Sequence, residues 1–393
     1  MALTIAHVLS SYGMGGQERV AVDLAGAQRA LGHRVIAVSL APLPNGPLAE
    51  DFAALHILAE TVEKRGPGID ASLPLRLSGL FRRVGVDIVH THNPQPLIYG
   101  ALAARLAGAR AVHTKHGANP GTNQQRALRR AAAVLCDAFV AVSRETEEVA
   151  RKNREVHERK LTTIANGIDL SRFHEDESAR AELRRELGIA DAAWLVGTVG
   201  RLAPEKDQAL LVEACAPTLS PMRQLALVGE GEERPRLEAQ IAALGERAPF
   251  VHLLGARRDV PRLLAAFDVF ALTSRTEGLP LVIPEAMATR LPVVSTRVGG
   301  IPSVIDEGVT GHLVPARDAA ALSAALQGLA HDPAKARAMG ATGRTRALER
   351  YSKERMGRAY VDLYERILGG RAVRVETTHA QVRAGGSIFN DAP

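Results

Sequence analysis

The chain has 393 residues, enough for two domains with sizeable cores. Hydrophobic residues make up 46% and charged residues 23%, the balance of a globular protein, and no run reaches the roughly 18 apolar residues of a membrane span. The net charge of +6 admits anionic substrates or acidic lipid surfaces without demanding either, while 4% aromatic residues with 1 Trp argue against stacking sugars on exposed rings.

The two cysteines, Cys136 and Cys215, sit in apolar helical contexts and fit reduced, buried thiols. The opening MALTIAHVLS is uncharged and runs straight into a glycine loop, unlike a signal peptide. A cytoplasmic protein is expected. Nucleic acid is not expected as a partner.

LTIAHVLS (Leu3 to Ser10) reads as a buried strand, followed by a glycine turn and a helix from about Glu18 to Leu31. Strand patterns follow at HRVIAVSL, VDIVHTH (Val86 to His92), ARAVHTKHG (Ala109 to Gly117), AFVAVS (Ala138 to Ser143) and KLTTIANG (Lys160 to Gly167), mostly separated by helical patterns. A charged stretch with helical spacing runs from Arg172 to Leu187, and its acidic run Glu175 to Glu177 reads as a solvated loop. A second series then begins: WLVGTVGRL, RQLALVGEG, PFVHLLGA, DVFALTS, PVVSTRVGG and GHLVP. Strands alternating with helices predict an α/β fold of two doubly wound parallel sheets, each with its own core. The expected domains are residues 1–172 and 173–350, with a terminal helix over 351–368 and a disordered tail over 369–393.

Thr276 to Ala288, TEGLPLVIPEAMA, places Glu277 on the loop beyond a strand and Glu285 in the first turn of the next helix. Gly278, Pro280 and Pro284 interrupt regular structure between them. The amides of Leu281, Val282 and Ile283 lie between the two acids, so the stretch forms a crevice for an anion flanked by carboxylates. Carboxylates accept hydrogen bonds from vicinal diols, and a sugar attached to a phosphate fits that combination. On spacing alone, Glu285 could equally favour its own helix N-terminus and Glu277 could be a solvated loop acid.

Gly13-Met14-Gly15-Gly16-Gln17-Glu18 approximates a dinucleotide fingerprint, but Glu18 replaces its third glycine, which argues against a nicotinamide dehydrogenase. The glycines still let backbone amides approach a diphosphate. Arg201 and Lys206 project from one loop after the second series' first strand, a fork and a point charge suited to a diphosphate. His90, His92, His113 and His116 lie at two neighbouring strand ends. With no cysteine or acid pattern beside them, hydrogen bonding to a polar substrate is expected rather than a metal. The helical stretch Asn123 to Asp137 puts Leu128, Ala131, Ala132 and Leu135 on one face and Arg126, Arg129 and Arg130 on the other. From Arg105 to Lys160 there are twelve Lys/Arg against six Asp/Glu. Such a helix covers a sheet, or else docks on anionic lipid at the inner face of the membrane.

In this order, GMGGQE, DIVHTHN, HTKHG, ANGID, GRLAPEKD, LVGEGEE, LLGARRDV, TEGLPLVIPEAMA and GGIPSVIDEGVTGHLV make the chain resemble glycosyltransferase family four, the retaining transferases of GT-B architecture. The matches run from the first strand to about Pro315, and the terminal helix also fits. Ser303 departs from the acid that many members carry after GGIP.

The resemblance implies two Rossmann-like domains facing across a cleft. A nucleotide-diphosphate sugar would be held by the second domain and a glycan or lipid-linked acceptor by the first. It implies catalytic roles for Arg201, Lys206, Glu277 and His116, and donor contacts from Gly15, Gly16, Gly200, Arg257, Leu281, Val282 and Glu285. His90, His92 and Asn166 would lie on the acceptor side. No cofactor and no metal are expected, because the acceptor hydroxyl would attack the face that the diphosphate leaves, with a phosphate oxygen taking its proton. A nucleotide-sugar epimerase of the same architecture and a non-catalytic partner subunit are the alternatives, the latter disfavoured by the intact Arg201, Lys206, Glu277 and Glu285.

Overall fold

The computed structural model describes residues 2–369 apart from 44, 45, 118 and 120; residues 370–393 of the expected disordered tail lie outside the described residues. Among the described residues the strands form two wholly parallel sheets. The first contains β1 (Thr4–Leu9), β2 (Arg34–Ser39), β3 (Leu58–Thr61), β4 (Ile88–His92), β5 (Arg110–Lys115), β6 (Ala138–Ala141) and β7 (Leu161–Thr163), in the order β3-β2-β1-β4-β5-β6-β7. The second contains β8 (Trp194–Val199), β9 (Arg223–Val228), β10 (Val251–Leu253), β11 (Val269–Leu272), β12 (Val293–Thr296) and β13 (Gly311–Val314), in the order β10-β9-β8-β11-β12-β13.

Helices cover both faces of each sheet, so the central strands are almost wholly buried; β11 is a continuous apolar run, whereas β4 also buries His90, Thr91 and His92. β3 escapes the sequence reading because it is the edge strand: Leu58 is exposed, the other three residues are only partly buried, and LAET carries no apolar run.

Each sheet reverses direction once. The chain builds outward from β1 through β2 to β3, then returns to place β4 on the other side of β1; β8 and β11 repeat the manoeuvre. Crevices open at the carboxyl ends of strands at such switch points. The glycine turn after β1, the loop after β8 and the loop after β11 therefore all start from switch-point strands.

Two details differ from the sequence reading. The acidic run is not a free loop: Asp176 accepts from the Ala179 amide at 2.9 Å and caps the helix Glu177–Glu186, while Glu175 pairs with Arg290. The buried Arg184 of that helix donates to the carbonyls of Ala190, Asp191 and Ala193 and to Asp268, tying the helix to the second sheet.

Each sheet has buried clusters of its own, as expected, but a further one spans both domains. One buried cluster contains Ile5, Val20 and Leu24 beside the first sheet, Leu195, Ile283 and Met287 beside the second, and Met356 and Tyr360 of the terminal helix Lys353–Leu368. That helix packs along Gly16–Ala30, where a Cβ on Gly357 would lie 2.7 Å from the Ala27 methyl. Its apolar stripe needs cover, and the first domain's leading helix supplies it. The chain crosses between domains as a short parallel bridge, Ile168 amide to Tyr351 carbonyl (2.8 Å) and Lys353 amide to Ile168 carbonyl (2.9 Å).

Candidate active site

The loops after β8 and β11 are fastened to each other. Thr273 Oγ1 donates to the Lys206 carbonyl (3.0 Å), the Arg275 amide donates to the Glu205 carbonyl (2.8 Å), and Arg275 Nε meets Asp207 Oδ2 at 2.7 Å. This lacing brings Lys206 Nζ to 2.5 Å from Glu277 Oε1. Ser274 Oγ donates to the same oxygen at 2.6 Å. The Glu277 side chain is only 10% exposed.

Backbone stacks on backbone around this pair. A Cβ on Gly278 would stand 2.0 Å from the His116 carbonyl oxygen, so the loop after β11 and the first domain's His116 loop meet without a side chain between them. Gly299, at φ +51°, lets its own loop pass Glu277, whose carbonyl oxygen a Cβ would meet at 1.9 Å. Asn166 Nδ2 donates to the Leu279 carbonyl at 3.4 Å, so this expected acceptor-side residue also holds the second domain's loop.

The short helix Val282–Ala288 follows. Of the three amides expected to face an anion, Ile283's donates to the Pro280 carbonyl at 3.3 Å, which leaves those of Leu281 and Val282. Glu285, on this helix, is half-buried, and the charges that act on it, Asp23, Arg172 and Arg19, belong to the first domain. Its carboxyl is pushed up to about 7 by burial first and the Asp23 carboxyl second, opposed by Arg172 and Arg19. Asp23 is itself pushed up to about 6, chiefly by burial.

Gly15 caps the helix Gly16–Ala30 with extended backbone and no side-chain hydrogen bond. The buried Glu18 carboxyl folds back against Gly15, its Oε2 being 2.2 Å from where a Cβ would stand, and burial raises its pKa. A phosphate approaching Gly16 would share this helix end with Glu18.

The histidines form a hydrogen-bonded network at the switch point between β1 and β4, where the register sets His7 beside His90. His92 Nδ1 lies 3.0 Å from His116 Nε2, and His92 Nε2 lies 2.9 Å from His7 Nδ1. His90 lies between the hydroxyls of Tyr364 (2.6 Å) and Thr114 (2.7 Å). Burial lowers every pKa in the network, to about 4 for His7 and for His116, so the rings are neutral at pH 7. His7, His90 and His92 bring nitrogens within 4.8 Å of one another, close enough for a metal. Their nitrogens are occupied by one another and by Gln28, Tyr364 and Thr114, which does not fit a cation.

Two expected site residues are engaged elsewhere. Arg201 is 64% exposed and pairs with Glu205 of its own loop, while Gly200 beside it directly follows β8. Arg257 grips Asp259 through both arms (2.8 and 2.7 Å) and also pairs with Glu186. Sequence reasoning passed over His7, Gln28, Ser274, Asp23 and Tyr364. A histidine inside the otherwise apolar LTIAHVLS was the one visible signal.

The sequence matches the family described as Glycosyltransferase Family 4 over residues 14–172 and that described as Glycosyl transferases group 1 over residues 194–332. A GDP-mannose-dependent alpha-(1-6)-phosphatidylinositol monomannoside mannosyltransferase of Mycolicibacterium smegmatis is 32% identical over 303 residues, 73% of this chain and 78% of that protein. The chain belongs to glycosyltransferase family four.

An Escherichia coli relative, UDP-Gal:alpha-D-GlcNAc-diphosphoundecaprenol alpha-1,3-galactosyltransferase, is 30% identical over 62% of this chain and 66% of its own length. Among solved structures, Anabaena HepE in complex with UDP-glucose superposes with a TM-score of 0.82 at 25% identity, covering 92% of this chain and 99% of that one. The fold of this family-four glycosyltransferase is thus GT-B, as the resemblance implied.

Proposed function

We propose that the enzyme transfers a sugar from a nucleoside-diphosphate sugar to a hydroxyl acceptor with retention of anomeric configuration and without a metal ion. The Lys206–Glu277 pair carries the reading: a cation and a sugar-binding carboxylate held together at a switch-point crevice. Lys206, joined by Arg201 once it leaves Glu205, neutralises the departing diphosphate, where most transition-state charge develops. The amides of Gly16, Leu281 and Val282 add donors. Glu277 accepts from hydroxyls of the transferred sugar, and Glu285 accepts from the ribose diol. Water is excluded where the His116 and Gly278 loops meet.

Attack on the face that the diphosphate leaves lets a phosphate oxygen take the acceptor's proton. The protein then needs neither a nucleophile nor a Lewis acid. The E. coli and Mycolicibacterium relatives are named for a diphosphoundecaprenol-linked and a phosphatidylinositol-linked substrate. These names support a lipid-linked or glycan acceptor in cell-surface polysaccharide or glycolipid synthesis.

The basic helix Asn123–Val134 supports peripheral attachment to an anionic membrane face. Arg126 and Arg130 are exposed, Val134 is 70% exposed, and Arg129 donates to the Asn119 carbonyl on the loop that follows His116. No described helix is long and apolar enough to cross a membrane.

The test is protection from thermal unfolding across UDP-, GDP- and ADP-sugars, followed by transfer assays in EDTA. One donor series should protect, and K206A should abolish that protection. Absence of protection by any of them, or transfer only with a divalent ion, contradicts the reading.

A further inference from the structure

The histidine network has a direction, and it ends at the active site. Gln28 starts it. Its amide nitrogen donates to the Tyr364 hydroxyl at 3.1 Å, so its Oε1 faces His7 and can only accept. His7 must then carry its proton on Nε2, 2.7 Å from that oxygen. A neutral imidazole holds one N–H, which leaves His7 Nδ1 bare. That nitrogen accepts from His92 Nε2–H at 2.9 Å, which leaves His92 Nδ1 bare in turn. His92 Nδ1 accepts from His116 Nε2–H at 3.0 Å. The last nitrogen, His116 Nδ1, is buried and has no partner among the described residues.

That orphan lies on the residue whose own carbonyl touches Gly278, next to Glu277. Reversing the Gln28 amide would reverse every bond and leave a buried, unpaired N–H on His116 instead of a bare acceptor. Unpaired buried donors are the rarer of the two in folded proteins.

We propose that Gln28, His7 and His92 are positioning residues that hold His116 as its Nε2–H tautomer, so that its bare Nδ1 accepts a hydrogen bond from a hydroxyl of the transferred sugar. This rests on the donor site proposed above. It pairs two acceptors, His116 Nδ1 and Glu277, with two sugar hydroxyls, and it makes the site selective for a hydroxyl over an anionic group at the His116 side. Tyr364 extends the network to the terminal helix: having accepted from Gln28, its hydroxyl donates to His90 Nδ1 at 2.6 Å.

The test reads tautomers directly, by long-range proton–nitrogen NMR on the histidine-labelled, ligand-free full chain, with H116N assigning the signal. The expected result is His116 protonated on Nε2. Protonation on Nδ1 overturns the proposal, and because no ligand is present that outcome leaves the proposed reaction untouched. Gln28→Leu removes the acceptor that sets the direction, and Tyr364→Phe frees the Gln28 amide to turn over in a milder way. In each, His116 should sample both tautomers. Turnover of the best-protecting nucleotide sugar should fall about fivefold to tenfold, the worth of one hydrogen bond. Affinity for the matching nucleoside diphosphate, which lacks the transferred sugar, should stay unchanged. Variants that fold, keep a single His116 tautomer and keep turnover overturn the positioning role. A wild type with the expected tautomer but no transfer to any acceptor would instead overturn the proposed function.

Discussion

The Lys206 ammonium lies 2.5 Å from Oε1 of Glu277, 71 positions along the chain, with the Ser274 hydroxyl on the same oxygen. The two groups proposed to bind different parts of one donor are thus ion-paired to each other. In the proposed complex a donor offers Lys206 a phosphate and Glu277 a hydroxyl in exchange for this contact. The pair therefore holds both side chains in place at the crevice until that exchange occurs.

Removing one partner leaves the other charge poorly compensated in a site that is mostly closed to water. K206A and E277A should each cost about 3 kcal/mol of transition-state stabilisation. The double variant should lose less than the sum of the two. A double-mutant cycle on kcat/KM, run beside thermal melts, checks this. Additive losses would mean that the pair does not act as a unit.

Glu285 ties stability to pH. Its carboxyl moves from an ordinary 4.5 to about 7 in the folded chain, so the folded state holds this proton more tightly than the unfolded state does. Its contribution to stability is fully present below pH 4.5 and is lost as pH rises through 7. Asp23 acts in the same direction. Across that window the wild type should lose melting temperature relative to E285Q. In the proposed complex ribose hydroxyls donate to the Glu285 anion, so affinity for the nucleotide sugar should rise with pH in the wild type more than in E285Q. Parallel melting curves for the two proteins would show that Glu285 is not the titrating group.

Much of the fold was legible because parallel strands buried on both faces announce themselves as apolar runs; the strand patterns at Leu3 to Ser10 and at Asp268 to Ser274 need no tertiary information. β3 was not legible because an edge strand carries no such run. In the site, local spacing exposed Glu277, Glu285, Arg201 and Lys206 as charges on loops but not their partners. Glu205 captures Arg201, and Asp259 with Glu186 captures Arg257, and each pairing depends on side-chain directions that spacing leaves open. The histidine network was hidden for a different reason. His7 and His90 are 83 positions apart, and only the register of β1 against β4 places them side by side.

Gly278 is a steric rather than a conformational requirement, since its φ is not in the left-handed region. An alanine methyl would stand 2.0 Å from the His116 carbonyl oxygen, and backbone on both sides would have to move. G278A should lose about 1–3 kcal/mol of stability, as other overpacked sites do. Its turnover should fall further than its melting point implies, because the strain falls between Glu277 and His116. A variant with normal melting and normal turnover would show that the two loops separate freely.

The basic helix Asn123–Val134 should hold the enzyme on anionic vesicles at low salt and release it at high salt. Flotation with phosphatidylglycerol vesicles reads this, and R126E/R130E should abolish binding while leaving the melting temperature within a few degrees. Vesicle binding that persists in the variant would move the contact to another surface.

The stereochemistry of the product is the most direct test of the account. Proton NMR of the reaction as it runs, with an α-linked donor, a hydroxyl acceptor and EDTA present, shows the anomeric signal of the first product formed. An α-linked product should accumulate as the donor disappears and should not form with K206A. A β-linked product, or transfer that stops in EDTA, would contradict it.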